Sequence, residues 1–130
     1  MAWRSSRNKY NARKIAVDGE VFDSKKEYHR YLELRLLEKS GVIRDLHRQV
    51  RYDLIPEARE PDRYGPRGGI HRGRLIERGV AYIADFVYYT VLPSGDEELV
   101  VEDCKGMRTD DYKIKRKLML FIHGIRIKET

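Results

Sequence analysis

Two stretches of the chain carry carboxylates where a plain strand would carry apolar side chains. In residues 82–89 (YIADFVYY), strand alternation puts Asp85 on the face of Ile83 and Val87. In residues 98–106 (ELVVEDCKG), Leu99, Val101, Asp103 and Lys105 point one way, and Val100, Glu102 and Cys104 the other. An ionised carboxylate on an apolar face is costly unless it is paired or binds a metal. A turn at Pro93-Ser94-Gly95-Asp96 makes the two stretches a hairpin, which can set Asp85 beside Asp103. Two carboxylates that close repel, and a divalent cation with oxygen ligands resolves the conflict. Each piece alone has a plainer reading: Asp103–Lys105 as an ion pair at a sheet edge, Asp85 as the cap of a turn. Together, in a basic chain, they point to a metal.

Glu27 supplies a third carboxylate, in line with Tyr31 and Leu34 on one row of a helix. It also completes the capping box Ser24-Lys25-Lys26-Glu27, which accounts for it without chemistry. The two roles are compatible, and both stay open. Other chemistry-bearing residues fit less well. His29, His47, His71 and His123 lack the spacing of a ligand set. Cys104 faces away from Asp103 and Lys105 and suits a buried thiol. Tyr82, Tyr88, Tyr89 and Tyr112 suit packing, with base stacking as the alternative. Arg67-Gly68-Gly69 lacks the strand–loop–helix setting of a phosphate cradle, so no nucleotide cofactor is expected.

The elements that must position these residues follow from periodicity and turn signals. Residues 1–13 read as a basic arm. Ile15, Val17, Val21 and Phe22 flank Asp18-Gly19, a favoured hairpin turn. The spacing predicts a helix from Ser24 to Ser40, closed by Gly41, with Tyr28, Tyr31, Leu32, Leu34, Leu36 and Leu37 on its apolar face. Residues 49–55 (QVRYDLI) alternate as a strand. An Arg/Gly loop over residues 56–79 carries six Arg, five Gly and three Pro. Strands at Val80–Leu92 and Leu99–Lys105 follow. Asp110 or Asp111 then caps a helix to about His123, with Ile114, Leu118, Phe121 and Ile122 on its stripe. Gly124 ends that helix, and Ile125 and Ile127 alternate as a last strand. The order is α-β-β-β-α-β, an α/β (α+β) fold with one mixed central sheet flanked by helices.

Composition bounds the rest. The chain has 130 residues, enough for one domain (1–130) and too few for two. With 41% apolar and 37% charged residues it has the make-up of a folded domain. No stretch reaches the ~18–20 apolar residues of a membrane span. The basic N-terminus lacks the apolar core of a secretory signal. One cysteine excludes an internal disulfide and suits a reducing compartment, so the cytoplasm is the expected location. The net charge of +6 is unevenly spread, which favours a polyphosphate partner over a merely solvated surface.

Asp85 on one strand, Asp103-Cys104-Lys105 on the next and Glu27 on a preceding helix resemble the signature of the PD-(D/E)XK nucleases. Within them the chain is most similar to phage Holliday-junction resolvases of the endonuclease I type and related phage or prophage proteins. The matching stretches are FDSKKEYHRYLELRLLEKSGVI, YIADFVYY and VVEDCKG, joined by RQVRYDLI, roughly half the chain. Ala84 stands where the Pro of the signature would be, at a position that supplies no ligand. Asp103 replaces the more frequent Glu, with one methylene less reach.

The resemblance implies a restriction-endonuclease-like core and a metal-dependent endonuclease hydrolysing phosphodiesters in branched DNA. Asp85 and Asp103 would hold Mg²⁺ or Mn²⁺, with Glu27 completing the site. Lys105 would orient water or stabilise charge at phosphorus, and Gln49 would support the ligands or position water. Phosphate contacts fall to Arg4, Arg7, Lys9, Arg13, Lys14, Lys25, Lys26, Arg108, Lys113, Arg116 and Lys117. A symmetric junction needs two incisions, which points to a homodimer; a phage-encoded protein would work in a bacterial cytoplasm. The alternatives are a same-fold nuclease on linear DNA or RNA, a non-catalytic nucleic-acid-binding module, and a basic assembly protein binding through residues 56–79.

Overall fold

The structure is a computed structural model that describes residues 4–7, 13–104 and 108–130. Asp18 and Gly19 take φ of 51° and 81°, the left-handed pair that a tight hairpin turn requires. They join β2 (Arg13–Val17) to β3 (Glu20–Phe22), and β1 (Arg4–Arg7) pairs antiparallel with β2. The expected arm over 1–13 is therefore a strand at Arg4–Arg7, because β2 satisfies its backbone; residues 8–12 lie outside the described residues.

Helix α1 (Lys25–Lys39) begins where predicted, with the Ser24 hydroxyl oxygen accepting from the Glu27 N–H at 3.1 Å. Gly41 at φ 81° leads the chain away. Tyr28 and Leu34 are buried, and Tyr31 and Leu37 half-buried. Leu32 and Leu36, expected on the same face, are exposed, because the helix touches the sheet along one narrow row only.

Strand β4 (Ile43–Ile55) is longer than the expected 49–55. It is followed by β5 (Ala58–Arg59), β6 (Arg63–Tyr64), β7 (Ile70–His71) and β8 (Leu75–Glu77). β5 pairs with β8 and β6 with β7, so residues 56–79 form a two-stranded ribbon rather than a loop. Gly73 is required there: a Cβ at this position would lie 1.6 Å from the Glu60 carbonyl oxygen.

Strands β9 (Val80–Val91) and β10 (Glu97–Asp103), helix α2 (Asp110–His123) and β11 (Lys128–Glu129) complete the chain. The central sheet runs β11-β10-β9-β4, with β10 and β11 parallel and the rest antiparallel. The expected α-β-β-β-α-β order and mixed sheet are present as α1-β4-β9-β10-α2-β11.

Three details differ at the C-terminal end. Thr109, not Asp110 or Asp111, caps α2; the two acids sit in the first turn, where the helix dipole favours them. The buried row of α2 is Tyr112 and Met119, spaced i and i+7, with Leu118 half-buried. The other expected stripe members, Ile114, Phe121 and Ile122, are exposed. Strand pairing starts at Lys128 rather than at Ile125 or Ile127, and the Ile127 side chain is buried in the core.

Cross-strand register sorts the core. Val101 opposes Val87, and both pack with Tyr112 and Met119 of α2. Val100 opposes Tyr88, and these lie with Leu34 of α1. The helices therefore cover opposite faces of the sheet. Ile15, Val17 and Phe22 pack with Tyr28, seating the small sheet on the start of α1. No helix among the described residues is long and apolar enough to cross a membrane.

Candidate metal centre

The cap of α1 and the middle of the sheet meet at a cluster of acids. Oxygen atoms of Asp23, Glu27 and Asp85 all lie within 4.8 Å of one another. Glu27 and Asp85 are buried, while Asp23 is exposed. Glu27 Oε2 accepts from the Asp23 N–H at 3.1 Å, one residue earlier than a capping box would have it. Glu27 thus secures the chain entering α1 with one oxygen and stands within the group of three acids. Asp85 Oδ2 accepts from the Cys104 N–H at 2.8 Å.

Gln49 joins the two buried acids. Arg48 opposes Phe86 and Val50 opposes Ala84, which places Gln49 against Asp85. Its amide nitrogen donates to Glu27 Oε1 at 3.1 Å and lies 3.5 Å from Asp85 Oδ1. Its backbone is left-handed at φ 52°, a conformation costly for a residue with a Cβ. Burial, with the Asp85 and Asp23 carboxylates, pushes the Glu27 carboxyl up to about 7; the Asp23 N–H and the Arg48 guanidinium 3.6 Å away pull the other way.

Asp103 and Glu102 divide as the alternation of β10 predicts. Glu102, fully buried on the α1 side, accepts from Arg30, from the Tyr88 hydroxyl at 2.6 Å and from the Thr130 hydroxyl at 3.1 Å. Burial raises its carboxyl, and the Arg30 and Tyr88 hydrogen bonds more than offset that, leaving it below the ordinary range. Glu102 is a structural acid. Asp103, also fully buried, accepts from the Tyr82 hydroxyl at 2.5 Å. The β9–β10 pairing ends at Glu102–Phe86, one residue before Asp103, and the Asp103 carboxylate is not part of the cluster of three acids. The cluster joins Asp85 to Glu27, with Asp23 as third member, and does not include Asp103.

Asp23 and Asp85 of the cluster line a cleft of about 320 Å³ that reaches the start of α2. Asp23, Gln49 and Asp85 line one side, and Thr109, Asp111 and Lys115 the other. Asp23 and Lys115 were not singled out for the site by the sequence. Lys115 had a signal, since it falls between the buried Tyr112 and Met119 at helical spacing. Asp23 had none beyond its place before the cap.

The remaining expected residues are dispersed. Lys105 and Lys9 lie outside the described residues, as do the side chains of Arg4, Arg7 and Arg13. Lys14, Lys25, Lys26, Lys113 and Lys117 are exposed. Arg108 and Arg116 both pair with Glu129, so their charge is partly spent within the fold. Tyr82, Tyr88 and Tyr112 are buried packing residues. Burial pushes the half-buried Cys104 thiol up to about 11.

No curated protein and no solved structure matches the chain. Residues 7–126, nearly its whole length, match a family described as "Protein of unknown function (DUF1064)", and the chain belongs to that family.

Proposed function

We propose that the chain is a divalent-metal-dependent endonuclease that hydrolyses phosphodiesters in branched DNA, in the manner of a Holliday-junction resolvase. The observation that carries this reading is the convergence of Asp23, Glu27 and Asp85, two of which, Asp23 and Asp85, line a cleft, in a chain of net charge +6. The donor set fits Mg²⁺ or Mn²⁺: every ligand atom is a hard oxygen, and three anions held this close repel until a cation joins them. Burial first, and then the neighbouring Asp85 and Asp23 carboxylates, raise the Glu27 carboxyl.

Asp23, Glu27 and Asp85 would hold the cation, which when bound supplies charge at a phosphate oxygen and acidifies a water. The chain's own groups do the rest. Gln49 fixes Glu27 and faces Asp85, and the Cys104 N–H fixes the other Asp85 oxygen. Lys115 sets a positive charge at the cleft wall, where a phosphodiester would lie. Lys105 is the cation that the resemblance assigns to charge developing at phosphorus. Exposed Lys14, Lys25, Lys26, Lys113 and Lys117 position the backbone without reading sequence. Two incisions in a symmetric junction call for a homodimer.

The test is cleavage of a labelled four-way junction and its matching linear duplex with Mg²⁺, Mn²⁺ or EDTA, by wild type and Asp85→Asn. Metal-dependent cutting of the junction alone, lost in the variant, is the expected result. Cutting of both substrates would keep the nuclease and remove the junction preference. Tight, salt-sensitive binding without cutting would make the protein a binding module.

A further inference from the structure

A second cleft lies beside the acidic cluster rather than on it. It has a volume of about 510 Å³ and is lined by Lys26, His29, Arg30, Cys104, Lys128 and Thr130, with Glu33 at its edge. Its charge is positive. Glu33 is spent on Arg30 at 2.8 Å, and the remaining Arg30 contacts go to the buried Glu102. Lys26 and Lys128 are exposed, and neither is in an ion pair among the described residues.

Two residues tie this cleft to the cluster. Lys26 immediately precedes Glu27 on α1. The Cys104 backbone N–H donates to Asp85, while its side chain lines the basic cleft and its sulfur lies 3.0 Å from the Thr130 hydroxyl. Cys104 thus touches the acidic cluster through its backbone and the basic cleft through its side chain. The cleft is also far larger than a single phosphate ion.

We infer that this cleft is the subsite for the nucleic-acid backbone next to the bond to be cleaved, with Lys26 and Lys128 as its phosphate contacts. The inference rests on the proposed nuclease reading and adds where the strand leaves the centre. Lys128 and His29 are new to the binding surface; Lys26 acquires a definite place in it.

Cys104 is the chain's single cysteine and therefore a built-in reporter of the cleft. Its alkylation is followed by mass spectrometry at mildly alkaline pH in EDTA, with and without a short DNA oligonucleotide, while binding is read separately by fluorescence anisotropy. The expected result is that DNA slows alkylation several-fold, and that Lys26→Gln/Lys128→Gln removes the protection. The double variant also lowers the slope of log affinity against log salt by roughly 1.5, as the loss of two phosphate contacts requires. Both lysines are exposed, so an unchanged melting temperature checks that the fold is intact. Full DNA binding with unprotected Cys104 would overturn the subsite and leave the nuclease reading standing. Equal protection by inorganic phosphate would overturn it in favour of a small-anion site. Failure to bind any nucleic acid would overturn the functional reading, and the subsite with it.

Discussion

Gln49 donates to Glu27 Oε1 at 3.1 Å from a backbone held at φ 52°, in mid-strand, directly against Asp85. A side chain other than Gly in that conformation costs about 1–2 kcal/mol. The strain is sustained because the surrounding ladder continues on both sides, with Arg48 on Phe86 and Val50 on Ala84. Its effect is to aim one amide at two acids.

Gln49→Ala therefore weakens Mn²⁺ binding and cleavage by about 10–100-fold, the usual loss when a group supporting metal ligands is removed. Gln49→Gly loses as much function but is at least as stable as the alanine variant, since it accepts the left-handed backbone. Calorimetric Mn²⁺ titration and thermal melts of both variants check this. An alanine variant that binds Mn²⁺ as wild type does would show that the amide positions nothing.

Glu27 makes the metal-free protein sensitive to pH. Its carboxyl is raised from 4.5 to about 7 in the fold. Between those values the unfolded chain has lost the proton that the folded chain keeps, so stability falls as pH rises through that window. The full effect, of order 3 kcal/mol, is reached above pH 7. Glu27→Gln removes the titration. Without metal it should melt higher than wild type at alkaline pH, with the gap closing toward acid pH. A gap that does not change with pH would mean that Glu27 titrates normally. Saturating Mn²⁺ reverses the order, because only wild type gains the ligand.

The fold was legible wherever the signal was local. Asp18-Gly19, the Ser24 cap and Gly124 act through backbone conformation and capping, which neighbouring residues fully determine. Alternation likewise sent Glu102 and Asp103 to opposite faces. The ribbon at 56–79 was not legible, because its strands are only two or three residues long and depend on the Gly73 approach to Glu60. The site was legible in part. Glu27, Gln49 and Asp85 come together as expected, but Asp23 enters only because the chain leading into α1 folds back onto Glu27. The face of α2 was misassigned because Tyr112 and Met119 are outnumbered in sequence by exposed apolar residues.

Arg30 and Glu102 form an ion pair across α1 and β10, with Glu102 fully enclosed and Arg30 half-buried. Removing one partner strands the other's charge, at about 3–5 kcal/mol. Arg30→Ala thus destabilises strongly, whereas Arg30→Met with Glu102→Leu recovers most of the loss. Urea unfolding of the two variants reads the difference. Because Arg30 also lines the basic cleft, the double variant keeps its fold while binding DNA more weakly.

Asp103 separates two arrangements of the metal centre. Its carboxylate is bonded to Tyr82 and stands outside the cluster of Asp23, Glu27 and Asp85. Asp85→Asn and Glu27→Gln should therefore abolish Mn²⁺ binding, while Asp103→Asn lowers the affinity far less. Asn can still accept from the Tyr82 hydroxyl, so its stability stays near wild type. Asp103→Ala leaves that buried hydroxyl without its acceptor and costs about 1–3 kcal/mol. Mn²⁺ titration of the three carboxamide variants, alongside melts of both Asp103 variants, measures each quantity independently. If Asp103→Asn abolished Mn²⁺ binding as completely as Asp85→Asn, the ligands would be the Asp85–Asp103 pair expected from the hairpin, with Asp23 reduced to a neighbour.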